Sequence, residues 1–179
     1  EIRVAGRDPG RVKEAVATVA GSDQVEVVDR AVDSTDEEAV GAVLEGVDAV
    51  ISAVGPYNLY GRATAEQAAK RGVIYLDITG EQAFVRRSFD ELGAAAAESG
   101  ATLVHSCSFE SALADLLAHR IVGEDAEGWD ELSSFYQFTS SRPSPGTRLT
   151  MKLARNFEQV VVRDGSYVAA QPMDHAHAV

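Results

Sequence analysis

Asp48-Ala-Val-Ile-Ser-Ala-Val-Gly-Pro-Tyr57 decides how this chain folds. Five of its first seven residues are apolar, three are β-branched, and Gly55-Pro56 stops the run. That pattern is expected of a short strand buried on both faces of a parallel sheet. In open α/β sheets ligands bind beyond the carboxyl ends of the strands, where loops vary without disturbing the core. Ala53, Val54, Gly55, Pro56 and Tyr57 therefore stand where chemistry is expected. Gly55 lets a ligand approach the backbone, Pro56 stiffens the turn, and Tyr57 offers a ring face and a hydroxyl. An ordinary strand-to-helix turn would read the same way, so the neighbouring segments have to decide.

Working outward, Ile2 to Gly6 alternates like a strand and ends at Gly6-Arg7-Asp8-Pro9. Asp8 can cap the next helix with Pro9 at its first position, and Val12, Ala15, Val16 and Val19 share one face up to about Ala20. Val25 to Val28 is the next strand. Thr35 with Glu38 has the form of a capping box for a helix through Leu44. Beyond the pivotal strand, Ala63 to Lys70 is expected to be helical, closed by Arg71-Gly72, and Val73 to Asp77 to be a strand. A helix from Phe84 to Ser99, a strand from Ala101 to His105 and a helix from Ser111 to Val122 follow. Strands alternating with helices through short connectors imply an α/β fold: a Rossmann-like, doubly wound parallel sheet.

The pattern changes after Gly123. An acidic connector occupies 124–130, and Leu132 to Thr139 alternates like a half-buried strand. Ser140 to Gly146 reads as a loop, Thr147 to Ala154 as a short helix, and Val160 to Val168 as a hairpin around Asp164-Gly165. The expected division is a nucleotide-binding domain over 1–123 and the start of a second, α+β domain over 124–179. The chain opens on Glu1-Ile-Arg-Val, a strand already in progress, and closes abruptly at Val179. The expectation is therefore a fragment, with a first strand and its Gly-rich loop missing and the second domain truncated.

Composition narrows the function classes. Among 179 residues the formal net charge is −12, which disfavours nucleic acid as a partner because the phosphate backbone would be repelled. No apolar run approaches the roughly 20 residues of a transmembrane helix, and a cytoplasmic location is the default expectation. Three Lys stand against thirteen Arg. Cys107 is the single cysteine, which excludes an internal disulfide and reads as a small buried hydrophobe. His105, His119, His175 and His177 have no metal-ligand spacing beyond the weak His175-x-His177 pair, so no metal is expected.

The rim residues point to a dinucleotide. No Gly-x-Gly-x-x-Gly occurs, but the position that selects between cofactors reads Ala5-Gly6-Arg7 with no acid until Asp8. Gly6 makes room and Arg7 supplies a planar, permanently charged fork suited to the 2′-phosphate of NADP, though taken alone Arg7 would read equally well as a solvated surface charge beside a turn. Asp33 is placed either to meet the adenine edge or simply to start a helix. Asp77, Thr79 and Glu81 lie on the carboxyl-end loop of the strand after the pivotal one, on the same rim as Tyr57. Two acids there could orient a substrate or move a proton, though turn formation is the commoner fate of such residues.

Taken together these loops resemble the saccharopine dehydrogenase-like NADP-binding oxidoreductases, a group that includes the trans-acting enoyl reductases. The matching stretches are Ala5-Gly-Arg-Asp-Pro-Gly-Arg-Val12, Ser52-Ala-Val-Gly-Pro-Tyr57 with Tyr60-Gly61, and Tyr75-Leu-Asp-Ile-Thr-Gly-Glu81. Phe84-Val-Arg-Arg87 and Val104-His-Ser-Cys-Ser-Phe-Glu-Ser-Ala-Leu-Ala-Asp-Leu116 continue it in order. The last loop of the family resembles Cys-Gly-Phe-Asp-Ser-x-Pro-Ser-Asp, and Ser108, Glu110, Leu113 and Ala114 depart from it here. The resemblance implies that Gly6 and Arg7 bind the adenosine phosphate end, Asp33 the adenine region, and Ala53 to Tyr57 the ribose and nicotinamide side. It further implies hydride transfer between NADP(H) and a small-molecule C=N, C=O or activated C=C substrate, with Tyr57, Thr79 and Glu81 as catalytic candidates. A homodimer is an arrangement open to such a protein. The rival reading is a non-catalytic NADP-binding sensor or interaction module.

Overall fold

The computed structural model describes residues 1–19, 21–123, 132–137, 139–140, 142–157, 159–163 and 166–170. Strand β1 (Ile2–Val4) runs parallel to β2 (Val25–Val27), with Ile2 opposite Val25 and Val4 opposite Val27. Helix α1 (Pro9–Val16) joins them and starts as its sequence dictates: the Asp8 carboxylate accepts the Arg11 N–H at 3.1 Å and Pro9 sits in the first turn. It stops short of the expected Ala20. The Thr18 hydroxyl bonds back to the Ala15 carbonyl at 2.7 Å, and the Thr18 and Val19 N–H groups reach back three residues rather than four.

Helix α2 (Glu37–Val43) corrects the expected capping box. Asp36, not Thr35, is the cap, and its carboxylate accepts the Ala39 N–H at 3.0 Å. Thr35 is already engaged, because its N–H and its hydroxyl both donate to Asp33 Oδ1 at 2.8 Å.

The pivotal strand, β3 (Ala49–Ser52), pairs in parallel with β4 (Ile74–Asp77), and β4 with β5 (Leu103–Val104). The connections are the short helix α3 (Tyr57–Tyr60), α4 (Arg62–Arg71) and α5 (Gln82–Ser99). Gly72 ends α4 at φ +71°, where a Cβ would also lie 2.7 Å from the Ser99 carbonyl oxygen, so only glycine fits that turn. In β3 and β4 alternate residues face opposite ways, and the Val50–Tyr75–Leu103 row packs with Ala65, Ala68 and Ala69 of α4 and Phe84, Leu92 and Ala96 of α5. Four small alanines on α4, counting Ala63, let it approach both the sheet and α5. Ala5 and Val28 pack against the same core, which joins the β1–β2 pair to the three-stranded sheet.

Burial of β3 on both faces is not what the structure shows. Ala49, Ile51, Ile74 and Val104 form the other face, and Ile51 is 74% exposed. Helices α2, α4 and α5 pack on one another along a single side, and no described element covers this opposite row.

Past β5, α6 (Ala112–Val122) is followed by α7 (Pro145–Leu153), which begins earlier than expected because Ser144 caps it, accepting the Thr147 N–H at 3.1 Å. Strands β6 (Gln159–Arg163) and β7 (Ser166–Ala170) form the expected antiparallel pair, and Val160 N–H donates to Gln82 of α5 at 2.9 Å. Among the described residues the strand expected over Leu132 to Thr139 does not form: 132–137 are exposed and adopt no regular structure. No described strand pairs with them; Tyr136 instead donates to the Glu110 carbonyl and packs edge-on against Phe109. The acidic connector 124–130, the Asp164-Gly165 turn and the His175-x-His177 pair lie outside the described residues.

Candidate functional site

The parallel strands deliver three loops to one rim: Ser52–Tyr57 after β3, Asp77–Glu81 after β4 and His105–Cys107 after β5. The first is shaped by the second. Glu81 accepts the N–H groups of Tyr57 at 2.7 Å and Asn58 at 2.9 Å and the Asn58 side-chain amide at 2.8 Å, so a carboxylate from another loop caps α3. The Gly55–Pro56 peptide is cis. Ala53, Val54 and Gly55 are exposed at the tip, whereas Pro56 and Tyr57 are buried. A Cβ on Gly55 would touch only the Tyr57 ring at 3.5 Å, an ordinary contact, so the fold does not itself require glycine there.

Tyr57 turns inward. Its hydroxyl donates to the Ser52 carbonyl at 2.8 Å and its ring lies 5.7 Å from that of Phe84. Burial pushes its phenol up to about 12, with the charges of Asp77 and Glu81 adding to the shift. Thr79 is equally buried, and its hydroxyl accepts the Glu81 N–H at 3.0 Å. The structure thus brings Tyr57, Thr79 and Glu81 together and commits all three to internal hydrogen bonds.

Asp77 holds the other two loops in register. It has no exposed surface, and its Oδ1 accepts the N–H groups of Thr79 at 3.0 Å and Ser106 at 2.9 Å. The Ser106 backbone is left-handed, with φ 58°. Asp77 Oδ2 lies 2.6 Å from His105 Nδ1, and His105 Nε2 lies 2.8 Å from the Ser88 hydroxyl on α5. Burial by itself would push the Asp77 carboxyl up; the hydrogen bonds from His105, Thr79 and Ser106 outweigh it and hold the group below the usual carboxylate value. An ionised carboxylate only accepts, so His105 carries its proton on Nδ1.

These contacts form one chain from Ser88 through His105, Asp77, Thr79, Glu81 and Asn58 to Arg87, which donates to Asn58 Oδ1 at 2.6 Å. It starts and ends on adjacent residues of α5 and ties the three rim loops to that helix. Beside it, the hydroxyls of Ser52 and Tyr75 are buried, and burial pushes the Tyr75 phenol well up, with the charge of Asp77 adding to the shift.

The remaining cofactor candidates gather at the β1–β2 end of the rim. Val32 N–H donates to the Gly6 carbonyl at 3.0 Å, which sets the loop carrying Asp33 beside the loop carrying Arg7. A Cβ on Gly6 would come within 2.9 Å of Val12, so this glycine is required by the packing of α1. Hydrogen bonds from the N–H and hydroxyl of Thr35 hold the Asp33 carboxyl below its usual value, and the nearby charge of Arg7 contributes. Arg7 is exposed, has no carboxylate within ion-pair distance among the described residues, and sits over the Tyr60 ring, 5.8 Å from its centroid.

Other features lie off this rim. A depression of about 620 Å³ on α2 and α4 is lined by Glu37, Glu38, Glu45, Gln67 and Arg71, and three carboxylates make it a poor seat for a pyrophosphate. Cys107 is exposed rather than buried, because only its N–H turns inward, to the Asp77 carbonyl at 2.7 Å. Among the described residues no cluster of three or more His, Cys, Asp or Glu is arranged to hold a metal, and no helix is long and apolar enough to cross a membrane. The sequence assigned no role to Asn58, Ser88 or Tyr60 and did not pair His105 with Asp77. The pair was readable in principle, since both residues end adjacent parallel strands; Ser88, in the middle of a helix, carried no signal.

Comparison with known proteins identifies a family and several relatives. Residues 1–104 match the saccharopine dehydrogenase NADP binding domain. A trans-acting enoyl reductase of Mycobacterium ulcerans is 35% identical over 136 residues, covering 74% of this chain and 32% of that protein. A trans-acting enoyl reductase of Mycobacterium bovis is 30% identical over 126 residues, 70% of this chain and 30% of that protein. A lipid droplet localized protein of Caenorhabditis elegans is 34% identical over 116 residues, 63% of this chain and 27% of that protein. The chain thus matches a third or less of the length of these curated relatives. No solved structure is significantly similar to it.

Proposed function

The chain belongs to the saccharopine dehydrogenase NADP binding domain family, and from that premise we propose that it is the cofactor-binding part of an oxidoreductase that prefers NADP(H) to NAD(H). The observation that carries this reading is Arg7: a guanidinium at the carboxyl end of β1, exposed and unpaired among the described residues, where an acid would select NAD. Its donors suit a 2′-phosphate, Asp33 stands beside it for the adenosine, and the exposed residues Ala53, Val54 and Gly55 offer the ribose and nicotinamide side an open approach. The residues present therefore fit the cofactor.

When bound, NADPH supplies the hydride, delivered from C4 of the nicotinamide to a C=N, C=O or activated C=C group of a small molecule. The chain's own part is to bind, orient and exclude water. In this reading Tyr57, Thr79 and Glu81 act as positioning residues: their hydrogen bonds fix the 53–58 loop rather than contact a substrate. The nucleotide-binding unit is taken as 1–123 and a second unit as beginning at 124, where the parallel pattern gives way to the antiparallel β6–β7 pair.

Calorimetric titration with NADPH and NADH tests the preference. The expected result is tenfold or more in favour of NADPH, roughly 1.4 kcal/mol, abolished in Arg7→Ala. An unchanged preference in that variant would remove Arg7 from the reading. The internal engagement of Tyr57, Thr79 and Glu81 favours a second possibility, a non-catalytic NADP-binding module. Retained NADPH binding without cofactor oxidation by any enal or imine would support it.

A further inference from the structure

Resting on the NADP reading above, we infer that Tyr60 is a specificity-determining residue that holds Arg7 ready for the adenosine 2′-phosphate. An exposed arginine ordinarily samples many rotamers and must lose that freedom to grip a phosphate. Here the Arg7 guanidinium is already placed over the Tyr60 ring at 5.8 Å, within the roughly 6 Å range of a cation–π contact. A cation held over a ring face keeps its N–H donors available to an anion, whereas a carboxylate partner would consume them. Among the described residues no such partner lies within ion-pair distance of Arg7. Asp33 and Tyr60 are the neighbouring groups, and Asp33 is occupied by Thr35.

Tyr60 owes its place to the network of the opposite side of the rim. It is the last residue of α3; its N–H donates to the Pro56 carbonyl at 3.0 Å, and Glu81 caps the first turn of the same helix. One four-residue helix therefore shapes the loop on the nicotinamide side at its start and presents a ring to the phosphate-reading arginine at its end.

Titrations of wild type, Tyr60→Leu, Tyr60→Gln, Tyr60→Phe and Arg7→Ala with NADPH and with NADH test the inference, with circular dichroism as a check on folding. Removing the ring in Tyr60→Leu or Tyr60→Gln is expected to weaken NADPH binding about threefold to fivefold while leaving NADH within about twofold, and Tyr60→Phe keeps the wild-type values. Two ring-free variants are used because Tyr60 is half-buried and one of them could disturb α3. If Arg7→Ala abolishes the NADPH preference but neither ring-free variant changes it, the role of Tyr60 is overturned and the NADP reading stands. If Tyr60→Phe weakens NADPH as much as the ring-free variants, the hydroxyl rather than the ring is responsible, and the inference fails. If wild type shows no preference, both fail together.

Discussion

Replacing Asp77 by Ala lowers the stability of the fold by about 3–5 kcal/mol, measured as the loss of unfolding free energy in urea at pH 7. The magnitude follows from what is left behind. Asp77 is fully buried and accepts from Thr79 N–H, Ser106 N–H and His105 Nδ1, and its own N–H and carbonyl already belong to the sheet and to Cys107. Alanine leaves the two backbone donors and the imidazole unsatisfied, in a setting where each orphan costs about 1–3 kcal/mol. The effect depends on pH with a definite sign. The folded carboxyl titrates below its unfolded value, so its contribution is fully present above about pH 4 and is lost as pH falls through the folded pKa. Wild type and Asp77→Ala therefore converge in acid and diverge above it. A gap that stayed constant from pH 3 to pH 7 would contradict the ionised, hydrogen-bonded role given to this residue.

Glu81→Ala opens the 53–58 loop. Three donors, the N–H groups of Tyr57 and Asn58 and the Asn58 side chain, lose one shared carboxylate. Charge-assisted bonds of this kind contribute about 1.5–3 kcal/mol each before compensation by water; since α3 lies at the surface rim, a net loss of about 2–3 kcal/mol is expected. The more telling change is local. Amide exchange at Tyr57 and Asn58 accelerates, and NADPH affinity falls by more than tenfold because Gly55, Pro56 and the presentation of Tyr60 all depend on that cap. Glu81→Gln, which keeps one acceptor oxygen but sets a donor against a donor, falls between the two. If Tyr57 and Asn58 remain protected in Glu81→Ala, the loop is held by something other than this carboxylate.

Particular residues show how far the sequence could be read. Asp8 and Pro9 at the start of α1, and Gly72 and Gly100 at the ends of α4 and α5, are local devices whose chemistry acts within a turn, and each stands where the periodicity puts it. The parallel α/β architecture followed from the alternation of such segments. Thr35 misled because Asp33 competes for it two residues upstream, a contest that spacing alone cannot rank. Ile51 misled differently: an apolar run states that a side chain can be buried, not which elements will cover it. Leu132 to Gln137 alternate like a strand, yet a strand exists only with a neighbour to pair with.

The site divides along the same line. The placement of Gly6, Arg7, Asp33 and the 53–57 loop was legible because each follows the end of a strand; their part in holding a cofactor is the proposal made above. What those residues do was less legible. Tyr57, Thr79 and Glu81 carry reactive groups that suggested catalysis, and only their hydrogen-bond partners show those groups turned toward one another. Ser88 and Arg87 complete the network from a helix interior, where a hydroxyl and a guanidinium are unremarkable until the facing histidine and asparagine are seen.

The most direct test of NADP binding at this rim is an amide NMR titration of the 15N-labelled protein with NADPH. Saturable shifts are expected at Gly6, Arg7, Asp33, Ala53, Val54, Gly55, Tyr57 and Tyr60. Shifts confined to the acidic depression around Glu37, Glu45 and Arg71, or none at millimolar NADPH, would contradict binding there.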